Sequence, residues 1–79
     1  MPVLSKIKGI IIRMFYKDHP PPHIHAIHNE TSGIFNIEKS NMIKGNLNEK
    51  DQKNIVDWMA DKKELLMEMW NTQNISKID

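Results

Sequence analysis

Along the chain the apolar positions change period near residue 48, from short β-type runs to helical spacing. Upstream, "KIKGIIIRMFY" (6–16) gathers Ile10, Ile11, Ile12, Phe15 and Tyr16. These β-branched and aromatic residues suit a pleated surface and predict a first strand. Three consecutive isoleucines call for cover on both faces, which makes that strand central in its sheet. Arg13 then shares a face with Ile11 and Phe15. "HIHAIH" (23–28) alternates, with His23, His25 and Ile27 on one face and Ile24, Ala26 and His28 on the other. "SGIFNIE" (32–38) predicts a third strand after a turn over 29–33, with Phe35 and Ile37 on its buried face. "MIKGNL" (42–47) reads as a short fourth strand or an extended edge.

Downstream, Asn48 with Asp51 three positions on forms a capping box in which Asp replaces the usual Glu or Gln. Ile55, Val56 and Met59 form an apolar stripe, joined by Trp58. "DKKE" (61–64) repeats the start signal before Leu65, Leu66, Met69 and Trp70. The pattern predicts two helices with a tight turn near 60–62, or one helix bent there, and a polar 71–79 tail that frays. The expected fold class is α+β: a small antiparallel sheet of three to four strands followed by two C-terminal helices packed on one face. The other face carries Arg13, His23 and His25.

Seventy-nine residues make a single domain, 1–79, with a thin core. With no cysteine there is neither a disulfide framework nor thiolate chemistry. No apolar run approaches the roughly 18 residues of a membrane span, and the N-terminus lacks a signal-peptide layout. The expectation is a soluble, cytoplasmic protein without membrane contact. Net charge is +1 and carries little information. Its distribution carries more: residues 1–28 set Lys6, Lys8, Arg13 and Lys17 against Asp18, whereas residues 48–79 hold five Lys against seven acidic residues. The front half is mildly basic and the back half mildly acidic. The thin core and the uncovered sheet face leave a homo-oligomer or an obligate complex open.

Candidate chemistry is concentrated in "DHPPPHIHAIH" (18–28), which holds all four histidines and three of the four prolines. Pro20, Pro21 and Pro22 lack N–H groups and cannot join a ladder, so they form a loop, expected to be stiff and polyproline-like. Three chemistries fit. Metal binding is one, but the H-x3-H-x-H-x2-H spacing matches no zinc template and no second Cys or His cluster exists. Acid–base catalysis is another: His23 and His25 as the pair, Arg13 binding phosphate, Asp18 and His19 orienting an imidazole. RNA cleavage needs no more than this cast, because the 2′-OH is its own nucleophile. Binding without catalysis, by Arg13, Lys17 and protonated histidines, is the third. Gly9, Gly33 and Gly45 are isolated, so no phosphate loop exists. The expectation is a site without cofactor or metal.

"GIIIRMFYKDHPPPHIHA" (9–26) resembles the small bacterial proteins of the domain of unknown function 4160 family. Their pattern opens with Met-Pro and continues through an Arg-bearing strand to Asp-His-x-Pro-Pro-His-x-His-Ala. The matching positions are Arg13, Tyr16, Asp18, His19, Pro21, Pro22, His23, His25 and Ala26. The likeness extends through "FNIEKSNMIKGNL" (35–47) to Trp58, Glu64, Leu65, Leu66 and Trp70. Departures fall at Pro20, Ile24 and His28, none of them a motif imidazole. The resemblance implies a two-gene toxin–antitoxin layout, with this chain as a type II toxin neutralised by a cognate antitoxin protein. The combined expectation is a toxin acting through a His/Arg/Asp site, as a metal-independent ribonuclease. The alternative is a non-catalytic module whose open sheet face binds a protein or nucleic acid.

Overall fold

The computed structural model describes residues 3–78. Met1, Pro2 and Asp79, and with them the Met-Pro opening of the pattern, lie outside the described residues. The elements are β1 (Val3–Ile7), β2 (Ile10–Arg13), β3 (His23–His28), β4 (Thr31–Asn36), β5 (Asn41–Gly45) and α1 (Glu49–Thr72). The strands form one five-stranded antiparallel sheet in sequence order, a meander, and the single helix follows. The fold is α+β, with five strands rather than three to four and one helix rather than two.

The extra strand comes from the first predicted run. Lys8 (φ +47°) and Gly9 (φ +83°) close a hairpin that divides it into β1 and β2. Positive φ at both central residues is the two-residue turn whose twist matches the flanking strands, and Gly9 adopts it without steric cost. Lys-Gly is a weaker signal than Asn-Gly, which is why the segment reads as one strand. β2 lies between β1 and β3, as its isoleucines demand. The β3–β4 turn is likewise tighter than expected: Asn29 (φ +57°) and Glu30 make it, and Gly33 belongs to β4.

The helix starts where the sequence places it. Asn48 Oδ1 accepts from Asp51 N–H at 2.8 Å and caps the first turn. It then runs unbroken past Asp61. No Gly or Pro interrupts 49–72, and Ile55, Met59, Leu66 and Met69 stay buried along one continuous stripe. Lys62 lies over the Trp58 ring, 5.9 Å from its centroid, one turn along. Within an established helix, Asp61 and Glu64 are ordinary surface residues and start nothing new. Among the described residues no helix is long and apolar enough to cross a membrane.

One sheet face supplies Ile10, Ile12, Ile24, Ala26 and Phe35, all fully buried in a single cluster with the helix stripe. Ile37 is buried there too, as expected of the third strand. The segment after the helix does not fray. Ile75 is buried, and Ile78 N–H donates to the Leu4 carbonyl. The tail thereby anchors β1, the edge strand, to the core.

Candidate functional site

The site grows from the loop between β2 and β3. Met14 is buried, so the chain leaves β2 pinned to the core. Lys17 N–H donates to Gln73 Oε1 at 2.7 Å, and Tyr16 OH reaches the Ile75 carbonyl at 3.3 Å. Both partners lie just beyond the C-terminal end of α1, which therefore clasps the loop. The chain then bends at Pro20 and Pro21, whose peptide bond is cis. The straight polyproline approach expected from the sequence is thus a bend. Pro22 O accepts from Ile37 N–H at 3.0 Å and fixes its far end.

The bend folds Asp18 back onto the start of β3. His23 Nδ1 lies 2.7 Å from the Pro21 carbonyl oxygen, and its Nε2 lies 2.8 Å from Asp18 Oδ2. Both separations are of hydrogen-bond length, and the two oxygens offer acceptor sites to the ring. His23 is buried, and the Trp70 ring stands 5.0 Å from it, centroid to centroid. Asp18 Oδ1 accepts from His19 N–H at 2.9 Å, and His19 Nδ1 lies 3.2 Å away. The His19 side chain is otherwise exposed.

His25, two residues on, shares the open face with His23 as alternation requires. The Phe15 ring lies 4.3 Å from its own. Its Nε2 is buried and has no hydrogen-bond partner among the described residues. Asp18 Oδ2 is 3.6 Å away, close enough for charge attraction but not for a hydrogen bond. Burial, and secondarily the charge of His23, push the His25 imidazole below its ordinary pKa, while Asp18 opposes them. Burial acts to raise the Asp18 carboxyl, but the His19 N–H bond, the His23 bond and charge, and His25 together hold it below the usual carboxylate range.

Across the sheet, the register aligns Arg13, His25, Ile34 and Lys44 in one row. A cleft of about 340 Å³ opens over part of it, lined by Asp18, His19, His23, His25, Ile34, Ile43 and Lys44 together with Pro20 and Pro21. The structure therefore brings Asp18, His19, His23 and His25 together. Arg13 pairs directly with His25 across the strands but is not among the lining residues. His28 falls on the opposite face, where its Nδ1 meets Asp51 Oδ2 at 2.7 Å.

Sequence reading missed the residues that complete this site. Lys44 and Ile34 join it only through register, which a meander of the predicted strands would have placed beside His25. Trp70 and Gln73 join it through the end of a helix that the sequence pattern expects to be broken or bent near 60–62.

An open cleft on the bare face of a small α+β domain, with a carboxylate between two imidazoles, is the class of site this fold presents. The chain matches the family described as a domain of unknown function, DUF4160, over residues 9–71 and belongs to that family. No curated protein and no solved structure gives a significant match.

Proposed function

We propose that the cleft around Asp18, His23 and His25 is a cleavage site for RNA phosphodiesters, and that the chain is the toxin half of a toxin–antitoxin pair. The observation that carries the proposal is His25 Nε2: a buried, unpartnered nitrogen, 3.6 Å from a carboxylate, on a residue that lines the cleft. An unsatisfied buried polar atom costs stability of order 1–3 kcal/mol. Such a cost is tolerated where the atom has a ligand to meet.

The surroundings favour a phosphate. Lys44 lines the cleft and Arg13 stands in the same row, so positive groups flank the place where a phosphorane would carry charge. RNA brings its own nucleophile: as the 2′-oxygen bonds to phosphorus the carboxylate–imidazole cluster takes its proton, and as the P–O5′ bond breaks the cluster gives a proton to the departing 5′-oxygen, leaving a 2′,3′-cyclic phosphate. An antitoxin protein neutralises the chain by covering the cleft mouth, where Ile43 is half exposed.

Expression of the chain alone tests this reading. Growth arrest with loss of cellular RNA is expected from the parent, and neither from His25→Ala. Arrest with RNA intact would replace the nuclease with a binding module, and arrest by the variant would remove the site.

A further inference from the structure

We propose that Asp18 Oδ2, His23 Nε2 and His25 Nε2 together hold one divalent transition-metal ion of the zinc class. The proposal rests on the cleft being the working site and stands in place of the metal-free chemistry expected from spacing alone.

One atom from each of the three side chains lies within 4.8 Å of the other two. Ligands about 2.0–2.1 Å from a tetrahedral ion stand about 3.3 Å apart. The Asp18–His25 separation of 3.6 Å is already that of two ligands of one ion, and wrong for a hydrogen bond. The Asp18–His23 separation of 2.8 Å opens slightly when the ion enters.

Two of the three ligands are prepared from outside. A metal-bound imidazole donates its other N–H to a carbonyl or carboxylate, which fixes the ring and leaves the remaining nitrogen for the ion. His23 Nδ1 has that bond, to the Pro21 carbonyl. Asp18 Oδ1 is held by the His19 backbone N–H, which leaves Oδ2 for the metal. His25 Nε2 is buried and unpartnered, so it needs no bond broken before it ligates. On binding, the proton that His23 Nε2 shares with Asp18 Oδ2 passes to solvent, as metal entry generally requires. The cluster then presents two neutral imidazoles and one carboxylate to a dication.

Three protein ligands leave coordination positions free, as catalytic sites do and closed structural sites do not. The cleft lies beside them, so a bound water or a phosphate oxygen completes the shell. A water on such an ion would lose its proton near neutral pH and would supply the base for the 2′-OH that the proposed cleavage needs.

The test uses the untagged full chain, stripped with chelator and titrated with zinc by calorimetry, with metal content read after dialysis. One zinc per chain is expected for the parent and for His28→Ala, whose imidazole is on the other face. His25→Ala and Asp18→Asn are expected to lose at least about tenfold in affinity. Both replace partly exposed side chains, and a melting curve of each apo variant confirms that it is folded, whereas the buried His23 is left intact. Absence of stoichiometric zinc, or affinity unchanged in His25→Ala and Asp18→Asn, overturns the proposal. So does an equal loss in His28→Ala. Zinc retention by a chain that spares RNA removes the nuclease and keeps the metal site. RNA cleavage undiminished after chelation does the reverse.

Discussion

His28 Nδ1 and Asp51 Oδ2 meet at 2.7 Å, joining the end of β3 to the first turn of α1. The Asp51 side chain is almost wholly buried, and its position in the first turn suits a negative charge at a helix N-terminus. His28→Ala leaves that carboxylate without its side-chain partner. A loss of about 1–3 kcal/mol in urea denaturation is expected, with the cleft chemistry unchanged. A variant as stable as the parent would show the pair to be idle.

The helix start depends on Asn48. Its Oδ1 satisfies Asp51 N–H, one of the amides that no helical carbonyl reaches. Asn48→Ala is expected to cost about 1 kcal/mol, and Asn48→Asp to restore most of it, by the same denaturation measurement.

Gly45 is the glycine that admits no replacement. Its φ is +134°, and a Cβ there would stand 2.4 Å from the Ser32 carbonyl oxygen and 2.5 Å from Gly33 Cα, both backbone. Gly45→Ala is expected to destabilise by more than about 2 kcal/mol, with a correspondingly lower melting temperature. Gly9→Ala is expected to cost less than Gly45→Ala, because its nearest neighbour is a side chain, the His28 ring at 3.1 Å, rather than backbone, although its φ of +83° still strains any L residue there.

Gln73 reaches the site without touching it. Its Oε1 holds Lys17 N–H and its Nε2 donates to the Trp70 carbonyl, so one side chain ties the Asp18 loop to the helix end. Gln73→Ala is expected to cost about 1 kcal/mol of stability. It is expected to weaken zinc binding less than His25→Ala does, since it loosens the loop but removes no ligand.

What the sequence revealed follows from how local each signal is. Alternation in 23–28 separated His23 and His25 from His28, because a strand's period is a property of neighbouring residues. The Asn48 cap was legible for the same reason. The Lys8–Gly9 turn was hidden inside an apolar run, and the second capping pattern at Asp61 and Glu64 imitated a helix start that packing of Leu66 and Met69 overrides. At the site, Asp18 and His19 were expected as supporting residues beside His23 and His25, and the structure groups all four. The bond from His23 to Pro21, the unpartnered His25 Nε2 and the alignment of Lys44 are tertiary facts. They depend on a bend at Pro20 and Pro21 and on a register across three strands, neither of which a linear pattern encodes.

The central claim is that the Asp18–His23–His25 cluster cleaves RNA, and cleavage of an end-labelled RNA oligonucleotide by purified chain tests it most directly. The reaction is run with zinc present and after chelation, beside His25→Ala and His28→Ala. Cleavage is expected from the parent and from His28→Ala, with a rate at least about a hundredfold lower for His25→Ala, the scale of losing the group that carries or positions the base. A parent that leaves RNA intact under both conditions, or a His25→Ala variant that cuts as fast as the parent, would contradict it.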